Sequence, residues 1–274
     1  MIDNGGATFG GVAFSSLGLL VTKANIPLLP ETRQSEEEIP GLDGTIDLLT
    51  EYGPRMIELE VTMLASDETD YQIRLQKIAK VFNARAGVKP LILDRMTGKR
   101  WMCKYNGQIP IEKMATLGTF TLPFKAFFPF SESVTDTGTP IAYGQGYTYG
   151  MGFRYGGGRY SFLVTSSPKA LVVYHAGTHE AYPVIRLTGS GSNITIRNET
   201  TGEQCTLSVI MAAGDVVEVR CAPLEQVVIR NGTDITRAHS GIFPRLVEGD
   251  NNISITATAP SLTVAFIFRH TYLY

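Results

Sequence analysis

Apolar and polar residues alternate strictly in one segment of the first half, residues 56–64. Ile57, Leu59, Val61 and Met63 are separated by polar residues. Because successive side chains of a strand point to opposite faces, this pattern predicts a β-strand with one buried face and one solvated face.

Weaker versions of the same pattern predict further strands around it. Residues 12–24 favour strands around Gly18, residues 90–105 favour a β-hairpin that turns at 96–98, and residues 108–114 and 118–128 favour two more strands. Pro123 lies within the last of these. Since proline cannot donate a hydrogen bond to a neighbouring strand, we expect that strand at a sheet edge or at a bulge.

A period of 3.6 residues occurs once, in residues 67–85. Ser66 or Asp67 can cap the start of the predicted helix, and Gly87 can end it. One apolar stripe runs along it and consists of Tyr71, Leu75, Ile78, Ala79 and Phe82. Such a stripe packs on a sheet far more often than it binds a cofactor.

From residue 162 onward the pattern changes to short strands separated by turns. Residues 194–196 and 205–209 form one predicted hairpin, and Asn231-Gly232 is a strong two-residue hairpin signal. Regular spacing of short strands is typical of a β-sandwich. The polar residues 131–140 are the best linker, so we predict two domains, residues 1–133 and 134–274.

The glycine-rich turn IPGLDGTIDLL, residues 39–49, follows an acidic stretch that reads as a solvated loop. We expect Gly41 and Gly44 to adopt positive φ or to allow a close approach, and Asp43 to accept hydrogen bonds from amides of the turn. No catalytic partner for Asp43 is evident.

Composition narrows the function classes. A hydrophobic content of 43% and a charged content of 18% are typical of a globular protein with a core. The net charge of −2 lacks the basic excess that binding to nucleic-acid phosphates requires. The three cysteines are far apart in sequence, which fits reduced core residues made in a cytoplasm. We expect no signal peptide, because the N-terminus carries Asp3 and no basic stretch before its apolar segment. We expect no membrane insertion, because no apolar run approaches transmembrane length.

A search for chemistry finds little. His175 and His179 have a spacing of four, but Gly177 and Pro183 argue against a helix, and a third ligand is missing. No nucleophile elbow, phosphate loop or zinc-protease motif occurs. We therefore predict no catalytic residue, no metal site and no cofactor, and a protein that is not an enzyme.

The stretch YGQGYTYGMGFRYGGGRY leaves two interpretations open. Its aromatic rings could present flat faces to a saccharide or to a partner protein, and the candidate residues are Tyr143, Tyr147, Tyr149 and Tyr155. The interpretation that we favour is a long loop that orders against its own domain or against a neighbouring subunit.

The order of the motifs resembles a known family. The first half contains, in order, FGGVAFSSLGLLVT, IPLLPETR, IPGLDGTIDL, Tyr52, Arg55, IELEVTM, a single helix, PLILDRMTGKRWMCKY and GTFTLPFKAFFPF. This order resembles that of the N-terminal belt domain of the distal tail proteins of long-tailed bacteriophages. AYPVIRLTGSGSNITIRNETTG, GDVVEV and LVEGDNNISI resemble the second half of that family. The tyrosine-rich stretch is longer and more aromatic than the family pattern.

The resemblance implies a mainly β protein with one α-helix. The first domain would be a split-barrel-like ring or belt domain with a β-hairpin, and the second a galectin-like or carbohydrate-module-like β-sandwich. It also implies a structural role: a homohexameric ring at the distal end of the tail of the virion, made in the host cytoplasm.

The implied partners are other copies of the chain, the tail tube protein and the tail-associated spike or fibre and baseplate proteins. In this family the outer domain can also anchor a receptor-binding protein, and DNA passes through the ring without specific binding. The alternative function is a carbohydrate-binding module that recognises host saccharide through the second domain. We also expect exposed strand edges, those of residues 56–64 and of the strand with Pro123, to be completed by a neighbouring subunit.

Overall fold

A computed structural model describes residues 5–41, 43–109, 112–114, 117–140 and 160–274. Their contacts divide the chain into two units. The first contains the residues up to Ser131 together with Leu273 and Tyr274, and the second is Glu132–Tyr272. The division lies two residues from the predicted boundary after residue 133. Independent folding of the two parts stays a prediction.

The described part of the first unit consists of short and medium-length strands and one α-helix. They are β1 (Ala7–Phe9), β2 (Val12–Ala13), β3 (Leu19–Asn25), β4 (Thr32–Glu37), β5 (Ile46–Tyr52), β6 (Arg55–Leu64), α1 (Glu68–Val81), β7 (Lys89–Leu93), β8 (Lys99–Tyr105), β9 (Glu112–Met114) and β10 (Leu117–Ala126). Short 3₁₀ turns occur at Phe14–Leu17, Ala84–Ala86 and Asp94–Met96.

One antiparallel sheet organises this unit. Its strand order is β2-β1-β7-β8-β10-β6-β3, and β9 also pairs with β10. A bridge between Gly5 and Val21 brings the two ends of the order together, so the sheet curls on itself. The buried face carries Ile57, Leu59, Val61 and Met63, all fully buried. The half-buried strand that alternation predicted is therefore confirmed.

Helix α1 covers this core. The Asp67 side chain caps it by accepting a hydrogen bond from the Asp70 amide at 2.7 Å. Of the predicted stripe, Tyr71, Ile78 and Phe82 are buried and Leu75 is half-buried, whereas Ala79 is exposed. The helix ends at Val81 rather than near residue 85.

The early end of α1 has a local cause. Phe82 turns into the core, where it stacks on Phe9 with ring centroids 5.4 Å apart. The Asn83 side chain then accepts a hydrogen bond from the Arg85 amide at 3.0 Å and starts the 3₁₀ turn Ala84–Ala86.

Strand β10, which contains Pro123, does not lie at an edge of the sheet, so the first alternative of the edge-or-bulge expectation is wrong. Strand β10 pairs with β6 along its whole length, and on its other side it pairs with β9 over residues 117–119 and with β8 over residues 124–126. Pro123 lies in the gap between those two partners, where no ladder amide is needed. Strand β6 is likewise interior, between β10 and β3, so its edge is not open to a neighbouring subunit.

The acidic stretch, which was predicted as a solvated loop, belongs to a strand instead. Thr32–Glu37 is a strand, β4, which pairs with β5 in a separate two-stranded sheet. Its pairing partner, rather than the propensity of its own residues, holds it extended.

The second unit is all-β in its described residues. Its strands are β11 (Ser131–Ser133, which starts at the boundary), β12 (Ser161–Val164), β13 (Lys169–His175), β14 (Val184–Asn198), β15 (Gln204–Met211), β16 (Val216–Arg220), β17 (Val227–Arg230), β18 (Thr233–Asp234), β19 (His239–Gly241), β20 (Gly249–Ile267) and β21 (Thr271–Tyr272). A 3₁₀ turn occurs at Thr236–Ala238.

Two long strands, β14 and β20, belong to both layers of the sandwich. The first part of β14 pairs with β16 and with the end of β20, while its last part pairs with β15 and with the start of β20. The pairing shifts register between Ser190 and Thr195, and strands that bend in this way can pass from one sheet to the other. A core of Val, Ile and Leu side chains fills the space between the layers.

Glycine is required at the bend. Gly189 has φ of 124°, and a Cβ atom there would lie 2.2 Å from the Ser261 carbonyl oxygen. The predicted turn at Asn231-Gly232 is present as well, with φ of 49° and 84°.

Among the helices that the structure describes, none combines the length and the apolar character needed to cross a membrane.

Candidate assembly surface

The β4–β5 hairpin is the most exposed element of the first unit. Every residue of both strands is exposed to solvent. Leu48 and Leu49 keep 57% and 56% of their surface in water and lie at a register shift in the pairing of β4 with β5. An isolated two-stranded sheet is marginal in water, and one with exposed apolar side chains is stabilised by a covering surface.

The base of the hairpin is firmly attached. The Gly53 amide donates a hydrogen bond to the Glu31 carbonyl at 2.6 Å. The ring of Tyr52 meets that of Phe130 edge to face, with centroids 5.7 Å apart. These contacts fix where the two strands leave the unit.

Arg55, immediately after the hairpin, is 1% exposed and is held by backbone carbonyls. Its Nε donates to Pro129 O at 2.7 Å, its Nη1 to Pro27 O at 2.6 Å, and its Nη2 to Leu273 O. Burial lowers the pKa of the guanidinium. We refer to this set of contacts as the arginine cage. It ties the segment before the hairpin to two distant parts of the chain.

The turn at the far end contains the glycines that the sequence singled out. Gly41 and Gly44 have φ of 90° and 91°, a region that glycine enters without strain. Asp43 is exposed. Its contribution to the turn, and any role of the turn in setting subunit geometry, stay predictions.

The two histidines that were considered as metal ligands do not face each other through their rings. His175 Nε2 lies 2.6 Å from the backbone oxygen of His179, and His175 Nδ1 lies 3.1 Å from Nδ1 of His270. Burial lowers the pKa of His175 and of His179, and lowers that of His270 to about 3. Within the described ranges, no group of three or more His, Cys, Asp or Glu residues could hold a metal ion.

The cysteines are core residues. Cys103, Cys205 and Cys221 are buried and unpaired with one another. Burial raises the pKa of Cys103 and of Cys205 to about 12, so both thiols are protonated at neutral pH and are poor nucleophiles.

The candidate saccharide contacts Tyr143, Tyr147, Tyr149 and Tyr155 lie outside the described residues, so their role stays a prediction. Tyr160, at the end of the same stretch, has a structural role: its hydroxyl donates to Tyr174 O at 3.0 Å and its ring packs edge-on against Phe268.

Sequence reasoning missed the two features that define this surface. The sequence assigns no role to Leu48 and Leu49, because an apolar side chain alone does not distinguish an exposed position from a core position. Arg55 stood out only through the resemblance. The available signal was its phase, since Arg55 is two residues before Ile57 and so falls on the same, buried face of the alternating strand.

Two family models match the chain. One, described as a phage tail protein RIFT-related domain, matches residues 14–126. The other, described as the C-terminal domain of a siphovirus-type tail component, matches residues 176–272. A search of curated proteins finds no match.

Among solved structures, the crystal structure of Dit from phage SPP1 is similar over nearly its whole length. The TM-score is 0.72 at 14% identity, and the match covers 98% of this chain and 99% of the other. That protein is described as a paradigm of the hub adsorption apparatus in phages that infect Gram-positive hosts. A chain of the phage p2 baseplate also matches, with 8% identity, 97% of both chains and a TM-score of 0.46. The likeness to SPP1 Dit shows a shared fold.

Proposed function

Because the chain belongs to the distal tail protein family of siphovirus-type bacteriophages, we propose that it assembles as a homohexameric ring at the distal end of the tail. The family is a structural, hub- and baseplate-related component of phage tails. The proposed ring joins the tail tube to the spike or fibre and baseplate proteins, and DNA passes through it without specific binding.

The exposed β4–β5 hairpin carries the proposal. It exposes apolar side chains, it is anchored at its base by the arginine cage, and its strands are not covered by the described part of their own chain. A second copy of the chain can supply the missing cover.

Symmetry favours a ring. In the proposed ring, the hairpin of one subunit engages a different surface of the next. Such head-to-tail contacts generate a closed ring when the rotation between neighbours closes. The sheet edges that we first expected to mediate this contact are filled within the chain, which leaves the hairpin as the main candidate.

The other partners follow from the family. We propose that the second unit faces outward and anchors further baseplate or receptor-binding proteins, and that the chain is made in the host cytoplasm. Protonated, buried cysteines are compatible with that compartment. The saccharide-binding alternative depends on Tyr143, Tyr147, Tyr149 and Tyr155, and stays a prediction.

Native mass spectrometry and negative-stain imaging of the purified chain test the ring. We expect six-subunit rings for the natural chain and folded monomers for the double variant Leu48→Ser, Leu49→Ser. Leu224→Ser is the matched control, because Leu224 is 99% exposed but lies in the second unit. A natural chain that stays monomeric, even when mixed with the tail tube and tail-tip proteins, would overturn the proposal.

A further inference from the structure

A cleft of about 530 Å³ lies beside the end of α1. Phe9, Leu17 and Val81 form its apolar floor and wall, and Phe9 and Leu17 are almost fully buried. Clefts with an apolar floor commonly bind an apolar group that fits them.

Three lysines surround this apolar floor: Lys77, Lys80 and Lys89. Lys89 is held in place, since its Nζ donates to Val81 O at 2.8 Å and lies 5.6 Å from the centre of the Phe9 ring. Lys77 and Lys80 are exposed on neighbouring turns of α1. None of the three lysines forms an ion pair with another residue that the structure describes. The cleft therefore presents an apolar floor with three cations that have no carboxylate partner among the residues that the structure describes.

The far end of the β4–β5 hairpin has the complementary chemistry. Glu36, Glu37 and Glu38 precede Ile39, and Asp47 lies between Ile46 and Leu48. Ile39 and Leu48 keep 45% and 57% of their surface in water. Acids and aliphatic side chains thus interleave along one exposed segment, as the lysines and apolar residues do around the cleft.

We infer that the cleft receives the acidic and apolar end of the β4–β5 hairpin of a second copy of the chain. The inference rests on the proposed ring and says which surface of the neighbour the hairpin engages. The aliphatic side chains cover the parts of Val12 and Val81 that stay exposed in the cleft, and the glutamates lie against the lysines. Hairpin and cleft are different surfaces of one subunit, as a head-to-tail contact requires.

The charges provide register and specificity. Opposite charges at the rim of an interface steer association and exclude wrong alignments, while the apolar contact supplies most of the affinity. Assembly should therefore weaken as salt screens the rim.

Reciprocal charge reversal tests the inference. The cleft variant carries Lys77→Glu and Lys80→Glu. The hairpin variant carries Glu37→Lys and Glu38→Lys, which leaves intact the hydrogen bond of 2.9 Å from Thr45 to Glu36. Lys104→Glu with Lys125→Glu is the matched control, since these lysines are cross-strand partners in the same unit but do not line the cleft.

We expect each of the first two variants to stay monomeric at concentrations about tenfold above those at which the natural chain forms rings. An equimolar mixture of the two should assemble, because every contact in an alternating ring then joins opposite charges. A chain with all four substitutions should assemble alone, and the control should form rings like the natural chain.

The outcomes separate this inference from the proposed function. If the natural chain forms rings while both reversed variants assemble equally well, or if neither the mixture nor the four-fold variant assembles, the cleft is not the receptor, although the ring stands. If the natural chain never forms rings, the proposed function itself fails.

Crosslinking gives an independent measurement. Leu48→Cys combined with Ser16→Cys should yield a ladder of covalent oligomers on mild oxidation, because Ser16 lines the cleft and the three natural cysteines are buried. Leu48→Cys combined with Thr121→Cys, an exposed position on β10, should not. Equal crosslinking of the two pairs would contradict the inference.

Discussion

At the scale of single residues, Arg55 organises the base of the hairpin. Its guanidinium donates hydrogen bonds to the backbone carbonyls of Pro27, Pro129 and Leu273 instead of to water. A buried guanidinium is tolerated because it can donate five hydrogen bonds in a fixed geometry. Since the carbonyls it binds would otherwise be left without a donor, its removal costs more than the loss of one contact.

We expect Arg55→Met to lower the free energy of unfolding of the first unit by about 3 kcal/mol or more. Trp101, the single tryptophan of the chain, is fully buried in the same unit, so its fluorescence during chemical denaturation reports the change. Arg85→Met, at an exposed position, should change stability by less than about 0.5 kcal/mol. Equal denaturation midpoints for Arg55→Met and the natural chain would show that the cage contributes nothing.

His270 makes the second unit sensitive to acid. Its Nδ1 accepts a hydrogen bond from the Ala176 amide at 3.1 Å, and burial beside His175 lowers its pKa to about 3. The unfolded chain binds this proton near pH 6.5, so the folded form is favoured above that pH and loses stability as pH falls from 6.5 toward 3. Within this window the loss reaches about 1.4 kcal/mol for each pH unit.

Calorimetry of the natural chain and of His270→Asn isolates this effect. The asparagine side chain keeps an acceptor for the Ala176 amide but does not titrate. We expect the melting temperature of the second unit to fall more steeply between pH 6.5 and pH 4 in the natural chain. Parallel pH profiles would mean that His270 keeps an ordinary pKa.

At the scale of elements, α1 begins at a defined cap. Asp67 accepts from the Asp70 amide, and the Asp70 carboxylate in turn accepts from the Ser66 amide at 3.1 Å. We expect Asp67→Ala to lower stability by about 1 kcal/mol, and Asp67→Asn, which can still cap, to have little effect. Denaturation followed by Trp101 fluorescence measures both. The assignment of the cap would be wrong if the two variants were equally unstable.

Most elements with one buried face were predictable, and those without one were not. Strand β6, helix α1 and the β7–β8 hairpin were readable because burial of one face imposes a period on the sequence. Strand β4 has exposed side chains throughout, so no period marks it. The environment of Pro123 depends on which strands end beside it, which is a property of the sheet rather than of the local sequence.

The candidate surface was the least predictable part. The glycines of its turn could be identified because positive φ selects for glycine. The exposure of Leu48 and Leu49 could not, since an interface residue and a core residue have the same apolar chemistry. The arginine cage unites residues from three parts of the chain, and no local pattern encodes that.

At the scale of the whole molecule, two cores lie on either side of a boundary at residues 131–132. The second unit is fastened at its own start: the Ser133 amide donates to His270 O at 2.8 Å, and the His270 amide donates to Ser133 Oγ at 3.0 Å. Both bonds lie within the second unit, which begins at Glu132.

We expect a fragment of residues 132–272 to melt cooperatively by itself. A fragment of residues 134–272 loses both bonds to Ser133 and should melt a few degrees lower. Calorimetry of the two fragments measures this. A 132–272 fragment without a cooperative transition would refute the division into two folding units.

The arginine cage also has a consequence for the order in which the protein is synthesised. Arg55 and Leu273 are 218 positions apart, so a ribosome completes the entire second unit before it adds the carbonyl that completes the cage. Until then the base of the hairpin lacks one of its fastenings. We therefore expect a chain truncated before Leu273 to hold the base of the hairpin less firmly than the full chain.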